Sequence, residues 1–209
     1  FTQVISQTAK QTIQWLDEYF QGKQPKVNLK LSPKDRALLC LPTDFIAGKM
    51  MLIRAIVLGL HIDIIRPSSM PLSLTSKDYD FCAMIPLQAA KSLTDLPRVK
   101  KVILGGASID GELEAKLQNI STEVYSSYGM TETISHIAMR KVNHTEEHET
   151  TYKAMPNVIF TQDERHCLVI NAPLIADHPV VTNDMVNLIS HNEFEWLGRF
   201  DNIINSGGF

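Results

Sequence analysis

The sequence predicts an α/β fold of layered, mostly parallel sheets with helices, joined to a smaller β-rich subdomain. Up to residue 123, short apolar runs bounded by charges and turn residues alternate with helical patterns, as expected of buried parallel strands connected by helices. Beyond that point the apolar runs are short and separated by polar turns, which predicts the β-rich part. We therefore expect an α/β region over 1–123, a β-rich region over 124–198 and a short terminal region over 199–209.

The elements of the first region follow the spacing of its apolar residues. Residues 1–20 carry an apolar stripe at helical spacing, which predicts a helix. A second helix, at 111–117, is entered through Ser108 and Asp110, whose side chains can accept hydrogen bonds from helix N-terminal amides. The predicted strands are 37–41, 63–65, 81–85 and 102–104, and a further predicted helix is 46–60.

The second region is expected to consist of short strands. The β-like runs lie at 137–139, 158–160, 167–170 and 180–181. Residues 144–148 (HTEEH), between the first two runs, fit the H-x-x-E-H pattern of zinc proteases. This segment has no apolar stripe to anchor a helix and suggests no third ligand. A solvated loop is therefore favoured over the rival metal site.

Composition excludes several classes of protein. The net charge of −3 leaves no basic surface for nucleic-acid phosphates. The most apolar stretch, 50–60, is interrupted by Arg54 and is too short to span a bilayer. Three widely spaced cysteines form neither a disulfide framework nor a CxxC metal site. With no secretory signal after Phe1, we expect a cytoplasmic protein with reduced thiols, and the sequence does not indicate its oligomeric state.

The residues most suggestive of chemistry lie at 126–133 (SSYGMTET), directly after a β-like run. Open α/β sheets bind ligands where their strands exit. At such an exit Tyr128 offers a face for adenine and Gly129 lets the backbone turn. Thr131 can bond a phosphate oxygen and Glu132 can hold Mg²⁺. By itself, however, the TET tripeptide is more typical of an ordinary helix start.

The string at 126–133 resembles a signature of the adenylate-forming superfamily, which includes acyl-CoA synthetases, luciferases and peptide-synthetase adenylation domains. Earlier segments agree in order. Residues 41–42 (LP) with 45–48 (FIAG) resemble the family's strand exit before the acyl-pocket helix. Residues 104–107 (LGGA) resemble its adenine-side glycine turn.

Two later segments are also similar to this family. Residues 182–184 (TND) resemble its TGD, whose aspartate accepts hydrogen bonds from both ribose hydroxyls, and Asn183 replaces the glycine. Residues 198–202 (GRFDN), followed by 206–208 (SGG), resemble its hinge to a C-terminal lid domain. The ordered set is far more specific than any single pair of glycines.

The resemblance implies an incomplete large N-terminal domain of this fold, in an enzyme that uses ATP, Mg²⁺ and a small-molecule carboxylic acid. The acid would form an acyl-adenylate and then, with CoA as co-substrate, an acyl-CoA thioester. The implied nucleotide-binding residues are Gly105, Gly106, Ala107, Tyr128, Gly129, Met130, Asp184 and Arg199; the implied catalytic residues are Thr131 and Glu132, with Glu132 as metal ligand and Asp201 as hinge pivot.

The acid itself is suggested by 45–54 (FIAGKMMLIR), which most resembles the o-succinylbenzoate-CoA ligases of menaquinone biosynthesis. In that family an arginine at the position of Arg54 meets the substrate's carboxylate. A buried guanidinium also needs an anion on physical grounds, which a dicarboxylate would supply. Alternatively, Arg54 reaches solvent or a structural acid. Phe45, where many members have histidine, and Lys49 complete the expected acyl-site residues.

Two expected parts of the family's fold are not found in the sequence. One is the Ser/Thr/Gly-rich phosphate loop, and the other is the lid with its catalytic lysine. Either the chain begins just after the loop, with 9–16 as the following helix, or residues near Pro25 and Lys26 are not contiguous. The alternatives to an o-succinylbenzoate ligase are a ligase for another aryl or fatty acid, and a non-catalytic module that binds ATP or AMP.

Overall fold

The computed structural model describes residue 29, residues 31–145 and residues 149–201. The helix predicted over 1–20, the segment around Pro25 and Lys26, and the SGG of the hinge signature lie outside the described residues. The described residues divide into two compact units. We call them the parallel unit (29, 31–127, 141–145 and 149) and the antiparallel unit (128–140 and 150–201). The predicted α/β class with a β-rich part is confirmed.

The parallel unit contains five strands, all paired in parallel, in the order β2-β1-β3-β4-β5. Helices and short 3₁₀ turns connect them, which is the connection that parallel pairing requires. The strands are β1 (Arg36–Leu39), β2 (His61–Ile64), β3 (Tyr79–Met84), β4 (Val99–Leu104) and β5 (Glu123–Gly129). The last two residues of β5, Tyr128 and Gly129, belong to the antiparallel unit. The helices are α1 (Ile46–Leu58), α2 (Pro86–Lys91) and α3 (Gly111–Leu117), and the 3₁₀ turns are Pro71–Leu74 and Leu96–Arg98.

Apolar burial and capping explain these elements. Leu38, Phe81 and Val102, on three neighbouring strands, are completely buried, so their runs are apolar without alternation. Helix α3 begins after Asp110, whose side chain accepts a 2.8 Å hydrogen bond from the Leu113 amide. No helix among the described residues is long and apolar enough to cross a membrane.

The antiparallel unit contains six strands in the order β6-β7-β11-β10-β9-β8. Each adjacent pair is antiparallel. Its core includes Phe160 and Phe194, whose rings meet edge to face with centroids 4.9 Å apart. The strands are β6 (His136–Lys141), β7 (Thr151–Ala154), β8 (Ile159–Gln162), β9 (Cys167–Asn171), β10 (Val180–Ser190) and β11 (Glu193–Arg199).

The structure corrects several local predictions. The first four residues of the 126–133 signature belong to strand β5 and do not follow a strand. The TET tripeptide forms a single 3₁₀ turn, Thr131–Thr133, and does not start an α-helix. Strands β7 and β11 and helix α2 were not predicted, because they are short or carry alternating polar residues. Strand β10 is eleven residues long, and only its first two residues, 180–181, were predicted as a strand.

Asp80 ties three neighbouring parallel strands together. Its carboxylate accepts a 2.8 Å hydrogen bond from the amide of Arg36 on β1 and forms a 2.7 Å ion pair with Lys100 on β4. The hydrogen bond from Lys100 outweighs the cost of burial and lowers the pKa of Asp80 below its ordinary value. The charged form of Asp80 therefore stabilises the folded sheet.

Replacing Asp80 by Asn should lower the free energy of unfolding by about 1 kcal/mol at pH 7. Because the pKa of Asp80 is lowered in the folded state, its contribution is present above the unfolded value of about 3.9. The contribution is lost as the pH falls through the folded value. Urea unfolding of the wild-type protein and of Asp80→Asn between pH 7 and pH 2.5 measures this contribution. Asp78→Asn, at an exposed position, is the control for the loss of a charge. A difference that stays constant over this range would contradict the assignment.

Candidate functional site

Asp184, on β10, carries a buried carboxylate that is held on both oxygens. Its Oδ2 accepts a 2.7 Å hydrogen bond from the hydroxyl of Tyr128, and its Oδ1 accepts a 3.2 Å hydrogen bond from the indole Nε1 of Trp196. The side-chain oxygen of Thr182 accepts a 3.0 Å hydrogen bond from the Asp184 amide, which fixes the backbone. A carboxylate has about four acceptor positions, so this one keeps acceptor capacity for two further donors.

Tyr128 is fixed by aromatic neighbours as well as by Asp184. Its ring lies 5.1 Å from that of Phe194 in an edge-on arrangement, and 5.9 Å from that of Tyr152. Burial, and then the negative charge of Asp184, raise the pKa of Tyr128 well above its ordinary value. Its hydroxyl therefore remains a hydrogen-bond donor to Asp184 throughout the physiological pH range.

The turn after β5 presents Thr131 and Glu132 to solvent. Gly129 approaches the returning backbone so closely that a Cβ atom there would collide with Ser135, so the glycine is needed for packing. Thr133 is buried, and its hydroxyl oxygen accepts a 3.0 Å hydrogen bond from the Met130 amide. The turn thus presents one hydroxyl and one carboxylate, which are oxygen ligands of the kind that Mg²⁺ prefers.

Arg199 and Asp201 form a bidentate pair at the end of β11. The Arg199 Nε and a terminal guanidinium nitrogen donate to the two oxygens of Asp201 at 2.9 and 2.8 Å. The Asn183 amide group donates to Asp201 at 3.2 Å. Asn183, at the position of the family's glycine, therefore contacts the predicted pivot. In this arrangement the Arg199 guanidinium is directed at Asp201, while its backbone lies beside that of Asp184 in the ladder.

Arg165 reinforces the same corner of the antiparallel unit. It donates to the side-chain oxygen of Asn183 at 2.9 Å and to the carbonyl of Thr182 at 3.1 Å. Its guanidinium also lies 5.4 Å from the ring centroid of Phe200. Asp163 pairs with this guanidinium at 2.7 Å. Arg165 therefore links the segment before Asp184 to the segment after Arg199.

Within the parallel unit, the predicted adenine-side turn Gly105–Ala107 follows β4, and the Pro42–Phe45 segment follows β1. Because these strands are parallel, both segments lie at the carboxyl edge of this sheet. Gly105 is held close to Ser127, whose hydroxyl donates to the carbonyl of Leu104 at 3.0 Å. The edge is the one at which open α/β sheets bind ligands.

The acyl-site residues of α1 differ in their surroundings. Arg54 is only 4% exposed; one guanidinium nitrogen lies 3.7 Å from the Met51 sulfur, and the group lies 5.9 Å from the centroid of the Phe81 ring. The alternative that Arg54 reaches solvent is therefore wrong. Phe45 is 58% exposed at the start of the helix, and Lys49 is also exposed. The helix therefore carries one buried and one exposed cation.

Sequence reasoning missed the residues that support Asp184 and Tyr128. Trp196, Tyr152 and Phe194 lie on the two unpredicted strands, β11 and β7. Trp196 gave no signal in the sequence, because it is 37% exposed and only a buried indole N–H normally needs an acceptor within the protein. Nor does the sequence identify the partners of a packed ring before the strand order is known.

The rival zinc pattern gains no support from the described residues. His144 has a φ of 56° and contacts the Ile120 carbonyl oxygen through Nε2 at 2.9 Å. Residues 146–148, which complete the pattern, lie outside the described residues. In the part of the chain that the structure describes, no group of three His, Cys, Asp or Glu side chains could hold a metal ion.

Known proteins are similar to this chain in sequence and in fold. The sequence profile of the AMP-binding enzyme family matches residues 11–162 of this chain. The 2-succinylbenzoate--CoA ligase of Bacillus subtilis (strain 168) is 25% identical over 128 residues, which cover 58% of this chain and 26% of that protein. This chain therefore spans about a quarter of the length of that curated relative.

Solved structures share the fold. An acyl-CoA synthetase (AMP-forming)/AMP-acid ligase II-like protein from Dyadobacter fermentans DSM 18053 has a TM-score of 0.78 and 38% identity, covering 97% of this chain and 57% of that one. The o-succinylbenzoate coenzyme A synthetase of Bacillus subtilis in complex with ATP and magnesium ion has a TM-score of 0.69 and 19% identity, covering 94% and 47%. At 19% identity, the similarity to the Bacillus subtilis structure concerns the fold alone.

Replacing Tyr128 by Phe should destabilise the full-length protein by about 1–3 kcal/mol, because the buried Asp184 carboxylate loses its shorter hydrogen bond while the ring packing is kept. Thermal unfolding at pH 7 measures the change. Tyr125→Phe is the matched control, since it removes a 2.9 Å hydrogen bond to the part-exposed Glu123. A loss for Tyr128→Phe no larger than that of the control would contradict a supporting role for the hydroxyl.

Proposed function

Because this chain belongs to the AMP-binding enzyme family, we propose that the full-length protein is an ATP-dependent acid-CoA ligase. It would convert a carboxylic acid to an acyl-adenylate and then to an acyl-CoA thioester. The observation that carries this proposal is the Asp184 carboxylate, fixed by Tyr128 and Trp196 with acceptor capacity remaining. A fixed carboxylate of this kind suits a vicinal diol, which is the group that the ribose of ATP and AMP presents.

The other nucleotide contacts are assigned from the resemblance. It gives adenine contacts to Gly105 to Ala107 and, separately, to Tyr128 to Met130. Arg199 would reach the ribose or the phosphates once its side chain leaves Asp201. Because the Arg199–Asp201 pair is bidentate, that rearrangement exchanges one strong ion pair for another. Asp201, which also accepts a hydrogen bond from Asn183, would act as the pivot of a lid domain.

Thr131 and Glu132 would act on the triphosphate. Both side chains are exposed on a turn that the buried Thr133 holds in place. A hydroxyl can donate to a phosphate oxygen, and a carboxylate is a suitable ligand for Mg²⁺. The bound Mg²⁺ would neutralise phosphate charge as it develops. If the turn were mobile, Thr131 and Glu132 would neutralise the phosphate charge less well, so a constrained turn favours the reaction.

The proposed reaction proceeds in two displacements. A carboxylate oxygen of the acid attacks the α-phosphorus of ATP, and the bond to the pyrophosphate oxygen breaks, which releases pyrophosphate. The sulfur of CoA then attacks the acyl carbonyl carbon, its proton is lost, and AMP leaves with the bonding electrons. The chain's residues contribute mainly by positioning the reactants and by neutralising charge.

For the acid, we propose o-succinylbenzoate, an intermediate in menaquinone biosynthesis. Arg54 supports this proposal, because it is 4% exposed and its guanidinium lies 5.9 Å from the centroid of the Phe81 ring, and the attraction of a buried cation to a carboxylate is stronger than in water. The similarity to a 2-succinylbenzoate--CoA ligase points in the same direction. A ligase for another aryl or fatty acid would keep the nucleotide residues and leave Arg54 a structural role. A non-catalytic nucleotide-binding module would need only the nucleotide-binding role of Asp184.

The proposed activity is tested by the exchange of labelled pyrophosphate into ATP, with the full-length protein and a panel of acids. This assay reports adenylation without CoA. Exchange that depends on o-succinylbenzoate is the expected result. Exchange with a different acid would keep the ligase class and exclude this substrate, and binding of ATP without exchange under any acid would favour the non-catalytic module.

Replacing Arg54 by Met should raise the KM for o-succinylbenzoate roughly 100-fold or more, because the substrate's second carboxylate loses a buried cationic partner. A monocarboxylic aryl acid should be affected much less. Lys91→Met, which removes an exposed cation at the end of helix α2, outside the acyl-site residues, measures the effect of charge alone. An equal change for mono- and dicarboxylic acids in Arg54→Met would assign Arg54 to structure.

A further inference from the structure

Trp196 lies beside the nucleotide site without belonging to the family's signature segments. From its geometry we infer that it is a positioning residue: its indole N–H fixes the Asp184 carboxylate in the orientation that receives the two ribose hydroxyls. This inference rests on the proposed function, because it assumes that Asp184 is the ribose acceptor. It assigns nucleotide discrimination to a side chain that itself touches no reacting atom.

A β-bulge brings Trp196 to the same face of the sheet as Asp184. In the β10–β11 ladder, Asp184 lies opposite Arg199 and Met185 opposite Gly198, but Val186 lies opposite Trp196. Leu197 is the extra residue on β11. In an unbroken ladder, Trp196 would face Asn187 and point to the opposite side of the sheet. The bulge therefore redirects the indole towards Asp184.

Gly198 makes this bulge possible. Its φ is +136°, a conformation that residues with a side chain rarely adopt. The glycine of the Gly198-Arg199 pair thus has a local purpose, which is to redirect the side chain two residues before it. Trp196 and Gly198 accordingly act together through the backbone of the bulge, while the side chain of Leu197 is exposed.

The resulting contact is suited to orienting an acceptor. The indole N–H is a donor only, so it cannot compete with Asp184 for ribose hydroxyls. It holds Oδ1 at 3.2 Å while the Tyr128 hydroxyl holds Oδ2 at 2.7 Å, so the carboxylate cannot rotate without losing a bond. Its remaining lone pairs then keep fixed directions, which lowers the ordering cost of binding a diol.

The experiment compares ATP with 2′,3′-dideoxy-ATP, which lacks both ribose hydroxyls, in the full-length protein. Trp196→Phe should raise the Kd for ATP roughly 5- to 30-fold and leave that for the dideoxy analogue nearly unchanged. Leu197→Ala removes an exposed side chain from the same bulge and should change neither value. Equal weakening of both nucleotides by Trp196→Phe, or no weakening of either, would overturn the inference.

The wild-type protein separates this inference from the proposed function. If it binds both nucleotides equally, Asp184 is not the ribose acceptor. The nucleotide site assigned in the proposed function and the positioning role of Trp196 then both fail. If it prefers ATP and Trp196→Phe keeps that preference, only the role of Trp196 fails. Should the variant fold poorly, the indole ¹⁵N–¹H resonance of Trp196 in the unchanged protein replaces it: ATP should shift this resonance and the dideoxy analogue should not. Equal shifts would overturn the inference.

Discussion

The buried carboxylate of Asp184 is the group on which the candidate site depends. It receives donors from two other strands, the Tyr128 hydroxyl on β5 and the Trp196 indole on β11. A buried charge must be compensated by hydrogen-bond donors of this kind, because otherwise the cost of burying it would oppose folding. The aromatic rings that pack around Tyr128 thus support folding and the chemistry of one acceptor at the same time.

A second constraint is the close return of the chain after β5. Gly129 passes so near Ser135 and its neighbour that no side chain fits. The turn between them therefore has few conformations available, and Ile134 takes an unusual one, with φ 63° and ψ −48°. The constrained turn holds Thr131 and Glu132 at defined positions beyond the end of the strand that carries Tyr128.

The sequence was sufficient to predict the fold class, the parallel strands and helix α3. Each has either a continuous apolar run or a capping residue such as Asp110, and both signals are local. It did not predict β7 or β11, because Thr151–Ala154 and Glu193–Arg199 gain their strand structure from their neighbours in the sheet. The roles of Trp196 and Asn183 depend on a bulge and on a partner 18 residues away in sequence, neither of which a motif records.

We propose that Asp184 receives the ribose of an adenine nucleotide, and a crystal structure of the full-length protein with bound AMP is the direct test. Both ribose hydroxyl oxygens should lie about 2.5–3.0 Å from the Asp184 carboxylate oxygens, with Tyr128 and Trp196 still donating to the carboxylate. AMP bound with its ribose away from Asp184, while the carboxylate keeps its present partners, would contradict it.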